Sequence, residues 1–228
     1  MHAFGCCFLL EGKRTEPKLY RSWLQHVFPN LPEVHNPVSW QGDGFWLISG
    51  GGQPGIFDRI PEVVADIAAC NAQVDHFFLC LDAEDEDPQV VRQKADAKLQ
   101  RHARPGFQPV VIVQTCCIET WLLGDRALFR HHPRHSDLES FRAFFDVTTE
   151  DPETMDRPDG FETKAHFHGR YLKAAARDIG ATYSKEVPGK YFCAEPHFRE
   201  LVQRTRDTSH LRSFGLLASS WQALGGMI

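Results

Sequence analysis

The chain has no apolar run near the roughly 18 residues needed to cross a bilayer, so a membrane-spanning helix is not expected. It has seven cysteines but no CxxC pair, and in 228 residues these spacings do not make a secreted disulfide framework. Cys6-Cys7 and Cys116-Cys117 are adjacent pairs in apolar segments, and Cys70 and Cys80 have apolar neighbours, so all are read as buried free thiols. There is no excess of basic charge: the formal net charge is −5, which argues against a protein that simply coats nucleic acid. Gly50-Gly51-Gly52-Gln53-Pro54-Gly55 lacks the Gly-Lys-Ser/Thr of a phosphate-binding loop, and no nucleophile elbow is visible. Internal repeats and low-complexity segments are also missing. Met1-His2-Ala3 leads into an apolar segment without a basic region or a small-residue cleavage site, so no signal peptide and a cytoplasmic protein are expected.

What is present is an alternation of short buried strands with helices. Residues 3–10 are continuously apolar, as a strand covered on both faces requires. Thr15-Glu16-Pro17 resembles a helix start, and Leu19, Tyr20, Trp23, Leu24 and Val27 follow at helical spacing until Pro29 and Pro32. Residues 44–49 predict a second strand, the three glycines a turn, and 58–70 a helix with Ile60, Val63, Val64 and Ile67 on one face. Val74 to Leu81 is the clearest strand, ending at Asp82. A polar helix over 88–102 and a strand over 109–115 follow, and a helix begins at Cys117. The pattern indicates an α/β layered fold with a mostly parallel central sheet flanked by helices, and a helical, irregular C-terminal part. The expected division is a core over 1–125 and a helical part over 126–228, packed as one compact unit. The acidic, proline-containing stretch near 150–160 is read as a long exposed loop.

Charge is unevenly spread. Residues 82–87 read Asp-Ala-Glu-Asp-Glu-Asp, while residues 160–212 hold ten Lys or Arg against six acids. Glu11 follows one buried strand and Asp82 ends another, and ligand sites of open α/β sheets lie outside the carboxyl ends of strands. With Glu84 and Asp85 close by, such carboxylates repel unless a cation sits among them. Oxygen ligands select Mg²⁺, Mn²⁺ or Ca²⁺ over Zn²⁺. His131-His132-Pro133-Arg134-His135 and His166-Phe167-His168 have no companion set at zinc spacing and are read as loop or surface histidines. Cys193-x₃-His197 is a lone half-site. Trp121 and Leu122 are read as core.

The segment Glu11-Gly12-Lys13-Arg14-Thr15-Glu16-Pro17-Lys18-Leu19-Tyr20 resembles the EGxxTExxY opening of Toprim-like proteins. These include nucleases of the overcoming-lysogenization-defect family and compact stand-alone relatives in bacterial anti-phage systems. Leu81-Asp82-Ala83-Glu84-Asp85 stands where such proteins carry Asp-x-Asp, with Glu84 in the second position and Asp85 one step later; which of the two binds metal is left open. Cys117-Ile118-Glu119-Thr120-Trp121-Leu122-Leu123-Gly124-Asp125 resembles the IExWLLxD segment after the next strand, and Glu119 is expected as a further metal ligand or as the N-terminal acid of a helix. Tyr183-Ser184-Lys185 to Gly189-Lys190 resembles a YxK…G segment, and Ser209 to Phe214 the last helix.

The resemblance implies a Toprim-like fold and a metal-dependent nuclease acting on DNA or RNA, tRNA included. Mg²⁺ or Mn²⁺ would be held by Glu11, Asp82, Glu84 or Asp85, and Glu119. Lys185 would stabilise the transferring phosphate, and Lys13, Arg14 and Lys190 would bind substrate. It also implies an ABC-type ATPase partner in anti-phage defence; homo-oligomerisation is left open. The rival expectations are a non-catalytic scaffold subunit and a primase-like or phosphotransfer enzyme.

Overall fold

The fold is that of a computed structural model, described over residues 4–69, 74–102 and 108–228. Met1 to Ala3, the Cys70 thiol and the last residue of the helix predicted to 70 lie outside these. The fold class is the expected one: a four-stranded, all-parallel sheet flanked by helices. Strand order is β2-β1-β3-β4, with β1 at Gly5–Leu10, β2 at Gly44–Ser49, β3 at His76–Asp82 and β4 at Gln108–Gln114. Every residue of β1 is buried, as its unbroken apolar run requires. β1 pairs with β2 from Gly5↔Gly44 to Leu10↔Ser49, and with β3 from Cys6↔His76 to Leu10↔Cys80. That second register sets Phe8 on Phe78, whose rings stack with centroids 4.6 Å apart.

The chain divides into two units: Met1–Leu81 with Gln89–Val113, and Asp82–Pro88 with Gln114–Ile228. They interleave in sequence, where consecutive blocks over 1–125 and 126–228 were expected. In the first unit, helix α1 (Thr15–Val27) buries Leu19, Tyr20, Trp23, Leu24 and Val27, and Pro17 sits in its first turn, where no intrahelical donor is needed. Helix α2 (Gly55–Ala69) starts three residues before the expected position. Ile56 is the reason: it is fully buried, and a Cβ on Gly50 would lie 2.5 Å from its Cγ1. The tight glycine turn therefore ends earlier than the hydrophobic spacing alone suggests. Helix α3 (Pro88–Gln100) presents Val91, Ala95 and Leu99 as its buried stripe.

The second unit is helical: α4 (Ile118–Leu122), α5 (Ser136–Phe144), α6 (Lys164–Asp178), α7 (Lys190–Cys193), α8 (Glu195–Asp207) and α9 (Arg212–Ala223). Helix α6 packs against both α4 and α5, and α8 against α7 and α9. Trp121, Leu122, Trp221, Phe167 and Phe214 are fully buried, so Trp121 and Leu122 are core as expected.

Two expectations are corrected here. The stretch near 150–160 is exposed only in part: 156–160 is largely open, as expected, but 151–155 is docked. Pro152 and Met155 are buried; Asp151 Oδ1 accepts from Leu211 N at 3.1 Å, and the Glu153 carboxylate accepts from Ser213 N at 3.1 Å. Asp151 and Glu153 hold backbone donors at the start of α9, whereas Glu150, Asp156 and Asp159 stay exposed. The last helix begins at Arg212, because Leu211 turns left-handed (φ 53°) and Ser209 to Leu211 precede it. Among the described residues, no helix is long and apolar enough to cross a membrane.

Ser213 is the hub of this corner. Its Oγ accepts from Trp121 Nε1 at 2.7 Å and from Thr115 N at 3.3 Å, and donates to Glu153. Ser213→Ala strands buried donors and a carboxylate, so urea unfolding should show a loss of about 1–3 kcal/mol. Exposed Ser219→Ala on the same helix should stay within about 0.5 kcal/mol.

Tyr171 supplies a pH test. Its hydroxyl is buried and donates to Phe145 O at 3.0 Å; burial first, then the Asp146 charge, raise its ionisation well above the ordinary range. The unfolded tyrosine ionises near pH 10. The folded group is shifted upward, so its contribution to stability is complete below about pH 10 and is lost as pH rises beyond that. The stability deficit of Tyr171→Phe should therefore shrink between about pH 10 and 12.

Candidate functional site

Glu11 is described within the first unit. It is buried directly after β1, its N–H donates to Cys80 O at 3.1 Å, and its carbonyl accepts from Gly52 N at 3.0 Å. Gln53 Nε2 donates to Glu11 Oε2 at 3.1 Å. Glu16, 2% exposed, accepts from Gly12 N at 2.6 Å and so fastens the turn that carries Glu11. The motif contained Glu16, but its positioning role was not foreseen. Lys13 and Arg14 are exposed in the same turn.

The other expected site residues belong to the second unit. Past the end of β3, the parallel pairing continues as Ala83 N→Gln114 O (2.9 Å) and Glu84 N→Cys116 O (2.8 Å). Glu84 and Cys116 both have left-handed backbones, φ 51° and 71°. These are costly for non-glycine residues and set the direction of each side chain. Asp85 is used differently: its Oδ1 accepts from Lys164 N at 3.2 Å, at the first turn of α6, where negative charge is favoured. Thr163 caps the same end, accepting from His166 N at 3.1 Å.

Glu84 instead lines a cleft of about 460 Å³ together with the buried Glu119. Helix α6 contributes His166, Arg170 and Lys173 to its lining, at the i, i+4, i+7 spacing of one helix face, and Lys185 completes it. Gly169 faces the same acid, and a Cβ there would make only ordinary contact, 3.9 Å, with Glu119 Oε1. Tyr183 OH donates to Glu119 Oε1 at 2.8 Å. Burial, then the Glu119 charge and with it that of Asp82, raise the Tyr183 hydroxyl far above its ordinary range. Asp82 and Glu119 likewise both act on the Cys117 thiol, so the two carboxylates bear on the same two buried groups. The cleft thus joins Glu84, Glu119 and Lys185 of the expected set. Lys190, exposed at the start of α7, is not among its lining residues.

The histidine reading is half right. His131 and His132 are exposed, but His168 is fully buried on α6 and meets Cys116 and Cys117. Contact with Cys117 lowers the Cys116 thiol to about 6, against burial and with help from His168. Hydrogen bonding to Cys116 and burial push Cys117 upward. Cys6, Cys7 and Cys80 are buried thiols outside any disulfide, as expected, and Cys193 is half-buried. His197 Nδ1 donates to Asp125 Oδ2 at 2.7 Å, beside Tyr191 OH at 2.8 Å on the same oxygen.

The residues that sequence reasoning missed are Arg170, Lys173, His166 and His168. The first three were legible in principle as a helical stripe within the basic segment. No family model matches the chain, and no curated protein or solved structure matches it.

The Tyr183–Glu119 bond is testable by a double-mutant cycle. Tyr183→Phe leaves a buried carboxylate oxygen without this donor and should cost about 1–3 kcal/mol in urea unfolding with chelator present. Combined with Glu119→Gln it should show a coupling of at least about 1 kcal/mol; additive effects would mean the bond contributes nothing.

Proposed function

We propose that the second unit carries a Mg²⁺- or Mn²⁺-dependent site for phosphodiester hydrolysis, and that the chain is a nuclease. The observation that carries this reading is the cleft in which Glu84 and Glu119 meet His166, Arg170, Lys173 and Lys185. Acids that gather a hard cation beside bases that attract a phosphate are what such a substrate needs.

The donor set fits the ion. Asp82, Glu84 and Glu119 offer only oxygen, and their mutual repulsion is relieved by a divalent cation. Asp85 is engaged at α6, which favours Glu84 as the ligand. A bound Mg²⁺ would polarise the phosphate and acidify a water. Tyr183 fixes one Glu119 oxygen, leaving the other for the cation. Arg170 would take two phosphate oxygens through its planar fork, while Lys173 and Lys185 would act as point charges. Lys185 is the resemblance's candidate for stabilising charge on the transferring phosphate. Glu11 is tested on its own, because it belongs to the first unit.

The resemblance extends the proposal to an effector in anti-phage defence. Control by an ABC-type ATPase suits a chain without a Gly-Lys-Ser/Thr loop. DNA and tRNA both present the phosphodiester that the cleft would recognise.

The test incubates labelled DNA and tRNA with the chain and Mg²⁺ or Mn²⁺, and measures Mn²⁺ binding in parallel. Cleavage should vanish with chelator and fall about 10²–10³-fold in Asp82→Asn and Glu119→Gln, the size of losing one preorganised electrostatic group. Mn²⁺ affinity should fall in the same variants, and Glu11→Ala is scored separately. Wild-type Mn²⁺ binding and cleavage unchanged in Asp82→Asn and Glu119→Gln would remove the assigned site.

A further inference from the structure

The turn from β4 into α4 sets two adjacent thiols against a buried imidazole. Cys116, Cys117 and His168 each offer one ligand atom, and these atoms all lie within 4.8 Å of one another. None of the three residues is more than 5% exposed. Neighbours in extended chain point to opposite sides; the left-handed backbone of Cys116 breaks that alternation and brings its sulfur to the side of Cys117. The two Sγ atoms are 3.8 Å apart. This is far beyond the roughly 2.05 Å of a disulfide. It matches the separation of about 3.8 Å expected for two sulfurs each about 2.3 Å from one tetrahedral zinc ion.

The imidazole is prepared in the same sense. His168 Nε2 lies 3.1 Å from Met155 O, a contact that requires N–H on that nitrogen. In the neutral imidazole Nδ1 then keeps the lone pair, 2.7 Å from the Thr120 hydroxyl. A ligating histidine is typically oriented by such a carbonyl on its far nitrogen. Thr120 Oγ1 also stands 3.6 Å from Cys117 Sγ, so its hydroxyl can turn from the imidazole to a thiolate.

We propose that Cys116, Cys117 and His168 form a Zn²⁺ site, with two thiolates and one imidazole as ligands and the fourth position taken by an oxygen, from water or Thr120. Two sulfurs and a nitrogen select a borderline-soft ion and disfavour Mg²⁺. Binding takes both sulfurs as thiolates, and any proton a sulfur still carries leaves to solvent. The ion would bolt the β4–α4 turn to α6. Glu84 hangs from that turn through its N–H to Cys116 O, and His168 sits between His166 and Arg170 of the cleft. The site is independent of the nuclease reading and stands or falls apart from it.

The test is a Co²⁺ titration of the metal-stripped full chain under a phosphine reductant. A thiolate-to-cobalt charge-transfer band and the strong visible bands of a tetrahedral ion should grow to one equivalent and be bleached by Zn²⁺. Cys116→Ser and Cys117→Ser should each weaken binding by more than the roughly 100-fold that loss of a supporting group costs, and His168→Asn should do the same. Glu84→Gln should leave the spectrum unchanged, which separates this site from the carboxylate site. Circular dichroism checks that each variant is folded, and the wild-type titration decides even if one is not. No charge-transfer band in the wild type, or one that survives in the Cys116→Ser/Cys117→Ser double variant, would overturn the proposal.

Discussion

The parallel pairing of β1 with a strand on each side is the constraint from which the rest follows. A central parallel strand is covered on both faces, so β1 is apolar from end to end and holds no charge. Polar chemistry is displaced to where strands stop: Glu11 directly after β1, Asp82 as the last residue of β3 and buried Gln114 as the last of β4. Parallel order also requires each strand to be reached by a crossover, which spends α1, α2 and α3 as covers. The catalytic expectation thus rests on a folding requirement: charges must lie at strand ends because the sheet excludes them elsewhere.

Within the second unit each acid is held by a different interaction. Glu119 is buried and accepts from Tyr183, Asp85 accepts from the first turn of α6, and Glu84 projects from a left-handed residue into the cleft. Helix α6 is the shared element. Its first turn takes Asp85, one face supplies His166, Arg170 and Lys173, and its buried side carries Phe167, His168 and Tyr171. A substitution that merely shifts α6 would therefore disturb the acids, the bases and the thiol cluster together, which single-residue arguments about any one of them would miss.

Much of this was legible in the sequence because it is local. β2 falls on the expected residues 44–49, and α1 begins at Thr15, where Thr15-Glu16-Pro17 indicates a helix start. What was not legible depends on partners far away in the chain. Nothing near Asp85 tells it apart from Glu84; Lys164, 79 residues on, does. The stretch near 150–160 reads as a solvated acidic loop throughout, but its Asp151 and Glu153 meet Leu211 and Ser213, each 60 residues later. His168 looked like a surface residue because zinc spacing was sought along the chain. Its sulfur neighbours are about fifty residues upstream, and the left-handed Cys116 that aligns them leaves no mark in composition. The α2 start was missed for a similar reason: Ile56 is dictated by close approach to Gly50, a contact invisible to periodicity.

The two proposed metal sites share a turn, and their chemistry keeps them apart. Cys117 and Glu119 are two residues apart, yet one set offers sulfur and nitrogen and the other only oxygen. Magnesium gains little from thiolates and zinc favours them, so neither ion needs a steric gate to find its place. The Cys116 carbonyl links the two, since the Glu84 N–H rests on it at 2.8 Å. An ion on the sulfurs would fix that carbonyl, and with it the direction from which Glu84 enters the cleft. Ligand geometry for a hard cation tolerates little displacement, Mg²⁺ least of all. A structural zinc behind the cleft would therefore act on the carboxylate site by holding its geometry, without touching substrate or water.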